Sequence, residues 1–531
     1  MNKYDEIRTN ESCYLRFKRF LTVKLKDKYF LKGFSTLIGA SLIYFLAGAI
    51  FSVCQLLIYE ISYIYHKTPG NNISLNNYVF YYPTQKLTQH VAGLICGFIY
   101  IKIGLHYTNL MGIGFLFIGY LILLLSKSFA ADIVSMVFCG IGTGIISYPS
   151  TANVCQWFME HYGIIVGIIE TMISFGSFFF NLLGEKIVGE AEVKSDEEDS
   201  FYTLEEGKKF KTFMIYLIIS MLVLYGLSFL LTFKKTEDED KFADTKNIQA
   251  KLLEDIDDED NKAVDTKHDE STGNTFDEKQ LELISNADIP KKKYEFKEML
   301  ITAIKSKKLI MFALIVILEG PLTSTIFSLY QAIGKYFGVK KDILIAIGPV
   351  NFLFECLGGF VFGILCDYVP KKYLLLFIFG VDSIIAYFYC LTFKNSGFMF
   401  YIFTNLATFT SGGFYSVKDY FLIRVFGIQV FVSIIGYVNL LSAIVIIALT
   451  PLIYHFEQMS IKNEDNDDGD KSTAGFWAIF SIFGTCSLIS FVLSLFIKDD
   501  ALDYEKEIEE KGIEKEQKLT TATINDNLVE M

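Results

Sequence analysis

Twelve runs of about twenty apolar residues, separated by polar breaks, constrain this sequence more than any other feature. At 1.5 Å per residue, a helix of about that length crosses the roughly 30 Å hydrocarbon core of a bilayer. The runs occupy residues 33–57, 88–104, 109–125, 131–153, 163–183 and 210–233, then 309–332, 343–366, 373–393, 398–417, 427–454 and 474–497. Soluble domains are seldom 52% hydrophobic and 16% aromatic, and 531 residues would normally divide among several of them. The expected fold class is therefore an all-α polytopic membrane protein with twelve transmembrane helices. Charged residues fill the first thirty positions, so no cleaved signal peptide is expected there.

Basic residues flanking spans face the cytosol. Arg8, Arg16, Lys18, Arg19, Lys24, Lys26, Lys28 and Lys32 precede the first span, whereas the loop after it has only Lys67 before Lys86. Lys371 and Lys372 follow span eight, and Lys418 and Arg424 follow span ten. With an even number of spans, both termini are expected in the cytosol, and the plasma membrane is the expected residence. The sequon Asn72-Ile73-Ser74 falls in the first outer loop and makes Asn72 a glycosylation candidate. The nine cysteines lie almost entirely within spans and read as small packing residues rather than a disulfide framework. The net charge of −12 belongs mainly to loops and tails, so no nucleic-acid partner is implied. No Walker loop is present and the six histidines are dispersed, so neither an ATP-driven pump nor an enzyme is expected, and no metal or cofactor.

The spans fall into two sets of six. The expected organisation is a cytosolic arm over 1–32, a first bundle over 33–233, a cytosolic linker over 234–308, a second bundle over 309–497 and a cytosolic tail over 498–531. The linker carries TEDED and EDIDDED, is too poor in apolar groups to fold alone, and is expected to be disordered to about Asp288. Its end, PKKKYEFKEML, is basic and amphipathic and is expected to lie on the inner leaflet. The stretches Gly97–His106, GFIYIKIGLH, and Gly363–Lys372, GILCDYVPKK, close the second span of each set. Both begin with Gly and end in basic or His residues, an internal repeat of the kind found in transporters built from two related halves.

At this repeat the sequence resembles the major facilitator superfamily, whose signature reads G-x-x-x-D-R/K-x-G-R/K-R/K. Gly363, Asp367, Lys371 and Lys372 match in the second half, where Tyr368 and Pro370 depart. Gly97, Lys102 and Gly104 match in the first, His106 in part, and Ile101 replaces the Asp. The resemblance implies two pseudo-symmetric six-helix bundles working by alternating access around a cavity lined by spans one, two, four, five, seven, eight, ten and eleven. It also implies that these motif residues form a cytosolic gate, weaker in the first half for want of the Asp. Gly would let the helices approach, and Asp and Lys would bond the opposite half. The stretch Gln156–Gly167, QWFMEHYGIIVG, resembles the W-F-x-x-x-R-G-x-A-x-G of the oxalate/formate antiporter and monocarboxylate transporter branch. Trp157, Phe158, Gly163 and Gly167 match, while Tyr162 and Ile165 stand where Arg and Ala are usual. This resemblance extends to protozoan carriers and implies a monocarboxylate substrate, with pantothenate a candidate.

Ionisable groups deep in a membrane are expensive and mark pathways or pairs. Glu170, Glu319, Glu355 and Asp382 lie well inside spans. Glu319 and Glu355 fall about 15–20 Å from the nearest span start, and Glu170 about 10 Å from the cytosolic side. The three Glu residues are candidates for the substrate and proton pathway, with Glu319 or Glu355 expected to carry a coupling proton. A protonated acid bonding a neighbouring helix is the alternative for each. Asp382, on a peripheral span, is expected to make a structural pair. No Lys or Arg is expected deep in a span, since Lys102 and Lys418 read as near span ends. An anion would then meet Gln55, Gln89, His90, Asn153 or Asn439, or enter with a proton on a Glu. A neutral or cationic solute such as an amino acid or sugar is the alternative cargo, and a transport-inactive sensor or interaction protein the alternative class.

Overall fold

Out of water, a backbone N–H must find its acceptor within its own segment, which is why long apolar runs fold as helices. The computed structural model describes residues 28–67, 80–159, 161–188, 204–235, 295–336, 339–389, 391, 397–462, 474–498 and 500–502. The helices of the first set are α1 (Lys28–Lys67), α2 (Tyr81–Ile103), α3 (Leu105–Leu125), α4 (Phe129–Trp157), α5 (Tyr162–Val188) and α6 (Leu204–Leu231). A short α7 (Phe296–Lys305) precedes the second set: α8 (Lys307–Tyr336), α9 (Lys341–Tyr368), α10 (Lys371–Tyr389), α11 (Gly397–Phe426), α12 (Ile428–Lys462) and α13 (Ala474–Ser494). Nine helical stretches are long and apolar enough to cross a membrane by length and composition, and no strand occurs among the described residues. The chain divides into two units. One takes Met1–Leu31 and Phe233–Glu295, and the other, Lys32–Thr232 with Phe296–Met531, is the helical body. Asn72, residues 236–294 of the acidic linker, the arm before residue 28 and the tail after 502 lie outside the described residues.

Helix ends follow local chemistry. Ser128 caps α4 by accepting from the Ala131 N–H at 3.3 Å, and Asp132 in the first turn suits the positive end of the helix dipole. Ser306 caps α8 in the same way through the Leu309 N–H. Gly104, between α2 and α3, has φ 78°, a conformation that a side chain disfavours. At the matching turn of the second half, Val369 is extended, as the residue before Pro370 should be. Several helices are longer than the apolar runs suggest, and two extensions bear on the site: α2 starts at Tyr81 rather than at 88, and α11 ends at Phe426 rather than at 417. The added turns hold Gln85 and Lys86 in one helix and Lys418 and Asp419 in the other. Hydropathy scores these residues as loop, but Gln85, Lys418 and Asp419 are buried inside the protein, and Lys86 is half-buried and lines its cavity.

Within each set, equivalent helices pair: α2 packs along α4, as α9 packs along α11. Between the sets, α5 packs on α9 and α12 on α2, again equivalent pairs of two related halves. These crossings are close because they run over small residues. A Cβ on Gly167 would lie 2.7 Å from the Gly363 Cα, and one on Gly97 would run into the Ser433 hydroxyl. The two motif stretches read separately in the sequence, around Gly363 and around Gly163, are the two sides of one crossing.

The far end of the first half is tied by buried charge. Lys211 of α6 donates to Glu60 of α1 and to the Leu123 carbonyl at the end of α3, at 2.7 Å in the latter case. Beside them Tyr81 of α2 donates to Asp132 of α4 at 2.9 Å. Glu60 and Asp132 are fully buried. The amphipathic end of the linker folds as α7, and part of its apolar face meets protein. Leu300 and Ala303 are buried, α7 packs on α12, and Phe296 meets the Phe98 ring edge-on at 5.1 Å.

Candidate functional site

Helical spacing gathers polar groups onto inward faces. Lys86, Gln89 and His90 share one face of α2, Glu170 and Ser174 one face of α5, and Glu319 and Thr323 one face of α8. These faces, with those of α1, α4, α9, α11 and α12, line a central cavity of about 150 Å³. No described residue of α3, α6, α10 or α13 reaches it.

Its charged groups are held in three different ways. Thr323 donates to Glu319 at 2.9 Å, while Ser174 of the first half and Glu355 of the second both line the cavity. Lys418, 5% exposed, donates to the Asn439 carbonyl at 3.1 Å, lies 3.7 Å from Asp419 and sits 4.8 Å over the Tyr415 ring. From Asn439 a chain of hydrogen bonds crosses between halves, first to the Tyr148 hydroxyl at 3.2 Å and then to His90 Nδ1 at 3.1 Å. Glu170 of α5 and Asp419 of α11 line the same cavity from opposite halves. Lys86 has aromatic company only. Its ammonium lies 4.3 Å from the centre of the Phe51 ring and 5.7 Å from that of Tyr82, with no ion pair among the described residues.

Of the candidates named from sequence, Glu170, Glu319, Glu355, Gln89, His90 and Asn439 all line this cavity. Asn153 is buried in α4 but does not line it, and the Gln55 side chain lies outside the described residues. Asp382 is buried away from the cavity and accepts from Thr410 of α11 at 2.6 Å. The expectation of no deep cation is corrected. Lys418 is two turns inside α11, and Lys86, counted as a loop residue, is in the second turn of α2. Asp419 was missed for the same reason. The usable signal was spacing, since Lys86 stands three and four residues before Gln89 and His90, on the face that carries them.

The motif residues gather at the end of the body that holds the α2–α3 and α9–α10 turns, the inner end in the expected orientation. Asp367 accepts from the Gly163 N–H through Oδ1 and from the Ile164 N–H through Oδ2, both at 2.9 Å. A carboxylate of one half thus caps the N-terminus of a helix of the other, meeting unpaired donors and the positive end of a dipole. Lys371 lies 4.7 Å over the Tyr420 ring of its own half, Lys372 is half-buried, and Lys102 is exposed. Thr171 of α5 adds a bond to the Cys356 carbonyl of α9 at 3.2 Å. The seven described cysteines form no disulfide with one another, and no group of three or more His, Cys, Asp or Glu among the described residues could hold a metal.

No protein-family model matches the sequence, and no curated protein matches it. Solved structures do. A variant of the E. coli fucose:proton symporter FucP aligns with a TM-score of 0.53 and 11% identity, over 87% of this chain and 98% of its own. FucP in the outward conformation, described as a major facilitator superfamily transporter, gives 0.54 and 12% over the same shares. The proton:xylose symporter XylE bound to 6-bromo-6-deoxy-D-glucose gives 0.57 and 12%, over 90% of this chain and 98% of its own. The chain has the fold of the major facilitator superfamily, two bundles of six helices around a central cavity.

Proposed function

We propose that this chain is a secondary active transporter that carries a small organic carboxylate through the central cavity by alternating access, together with a proton. The carrying observation is Lys86, an ammonium that lines a cavity shared by both halves and has no ion pair among the described residues. A buried charge without a partner is unfavourable, and a carboxylate entering the cavity would relieve it through a charge-assisted hydrogen bond. With Lys86 in place, the absence of a deep cation no longer counts against a monocarboxylate. Proton coupling agrees with the structural neighbours, which are described as proton symporters, and with the four carboxylates in the cavity.

The gate follows from the inner crossing. The Asp367 cap and the glycine contact of α5 with α9 hold the inner ends together, and both must separate for the cavity to open there. Switching needs only a few kcal/mol of difference between two states, within reach of a few such contacts. A second cargo has its own observation: Thr323 donates to Glu319, and neither Glu319 nor Glu355 has an ion pair among the described residues, which suits a cationic group on the solute. An amino acid would present both charges.

The test is uptake into proteoliposomes of labelled monocarboxylates, pantothenate among them, with amino acids and sugars in parallel and an imposed inward-directed proton gradient. Gradient-stimulated uptake of a monocarboxylate is the expected result. Uptake of an amino acid or sugar alone would replace the cargo. Binding of a panel member with no uptake of any would replace the transporter with a sensor.

A further inference from the structure

The hydrogen-bond chain across the cavity runs in one direction only. Lys418 of α11 donates to Asn439 Oδ1 at 3.1 Å, and an ammonium has no lone pair to accept with, so the amide oxygen must face it. The amide nitrogen of Asn439 is thereby turned to Tyr148, and donates to the hydroxyl oxygen at 3.2 Å. Asn439 lies on α12 and Tyr148 on α4, so this bond passes from the second half to the first. Tyr148 Oη and His90 Nδ1 are 3.1 Å apart, and one of them must donate. The buried hydroxyl has no other acceptor among the described residues, so a proton on Nδ1 would leave the hydroxyl hydrogen unbonded inside the protein. The hydroxyl therefore donates, Nδ1 accepts, and the ring proton of His90 sits on Nε2. A second ring proton is opposed by Lys86, one turn earlier on the same helix, and by Lys418 at the head of the chain. Nε2–H is thus a donor with no acceptor among the described residues, on a side chain that lines the cavity.

We propose that His90 Nε2–H and the Lys86 ammonium together bind the carboxylate of the carried solute, one on each oxygen, with Tyr148 and Asn439 as positioning residues. The inference rests on the carboxylate reading above and adds a neutral, directed donor to it. Lys86 and His90 are four residues apart on α2, which makes them neighbours on one helix face. An ionised carboxylate only accepts, and its two oxygens diverge, so two donors one helical turn apart can each take one. The ammonium alone attracts any anion, because a point charge has no preferred direction. The imidazole N–H selects among anions, since it rewards a group with a second acceptor oxygen beside the first. Without the chain behind it, the ring could carry its proton on either nitrogen and would present a lone pair to the anion part of the time. The second half, through Lys418 and Asn439, thereby fixes which atom the first half offers the solute.

The test reads the ring itself, by nitrogen NMR of the reconstituted full chain carrying isotope-labelled histidine. The His90 signals are those missing from His90→Gln. Nδ1 should be unprotonated and should carry the shift of an accepted hydrogen bond, which Tyr148→Phe removes. A protonated Nδ1 in the wild type, or an Nδ1 signal that Tyr148→Phe leaves in place, overturns the proposal. Acetate is the probe of binding. It should move the Nε2–H signal of the wild type, and a signal that acetate leaves unmoved overturns the proposal, whether or not acetate binds elsewhere. Two amides then separate the ring nitrogens, because Gln places its NH2 near the position of Nε2 and Asn places it near that of Nδ1. Affinity for acetate, read by saturation transfer from the protein to its methyl group, should stay within about threefold in His90→Gln and fall about tenfold or more in His90→Asn. Equal affinities in the two variants overturn the proposal. Uptake of the labelled panel separates the two claims. A monocarboxylate taken up while acetate leaves His90 unmoved removes His90 from the site and keeps the carrier. Acetate bound at Nε2 with no uptake of any solute supports the pair of donors and removes the carrier.

Discussion

An ammonium group inside a bilayer costs several kcal/mol unless something shares its charge, and Lys86 rests on two aromatic faces. Cation–π contact returns about 0.5–2 kcal/mol, which leaves the group receptive to an anion. Replacing it as Lys86→Gln keeps a donor and removes the charge. Hydrogen bonds to charged groups are worth about 1.5–3 kcal/mol, so the Michaelis constant for the carried carboxylate should rise about ten- to a hundredfold. The maximal rate should change less, and concentration-dependent uptake measures both. A Michaelis constant unchanged for every transported carboxylate would mean that Lys86 does not touch the cargo. The three cavity Glu residues were legible because a carboxylate amid twenty apolar residues has no membrane-facing explanation. Lys86, Lys418 and Asp419 were not, because each lies where a polar turn joins an apolar run, and composition cannot tell a helix facing a wet interior from a loop.

Helices meet where side chains are missing. The α5–α9 crossing closes on Gly163, Gly167 and Gly363 and is sealed by Asp367 on the N-terminus of α5. Its counterpart, α2 on α12, has Gly97 against Ser433, but Ile101 holds the position in the repeat that Asp367 holds in the second half. Asp367→Asn keeps one acceptor and loses the charge, worth about 0.3–2 kcal/mol at a helix N-terminus. Thiol labelling of Tyr107→Cys from the inner side should then quicken by up to about thirtyfold. The reverse substitution is the sharper check. Ile101→Asp should supply the missing cap and slow the same labelling, and equal labelling in both variants would reduce the motif to ordinary flanking charge. Gly363→Val would press a branched side chain into the Gly167 backbone. Overpacking costs about 1–3 kcal/mol, so this variant should favour the open inner end more than Asp367→Asn does. The sequence repeat located both crossings. It did not show that the W-F stretch supplies the opposing surface, because no spacing along a chain reveals which helices from different halves touch.

At the scale of the molecule, two six-helix bundles share one cavity but are stabilised differently. The second half buries Asp382 against Thr410, whereas the first is closed at its far end by Lys211 between Glu60, Leu123 and the turn after α3. Removing one partner of a buried ion pair costs about 3–5 kcal/mol, so Lys211→Met should lower the yield of folded protein. The double variant Glu60→Gln with Lys211→Met should recover much of it, as size-exclusion profiles in detergent would show. The pair also sets a schedule for biosynthesis. Its members are 151 residues apart, on the first and last helices of their half. At about 5–20 residues per second, the ribosome needs roughly 8–30 s to deliver Lys211 after Glu60 has left it. Through that interval α1 waits in or beside the translocon with an uncompensated carboxylate, dependent on whatever chaperone shields polar membrane segments. Chains stalled before α6 should therefore remain bound to the insertion machinery, and chains stalled just after it should be released. Crosslinking of arrested nascent chains would time the handover to within a single helix.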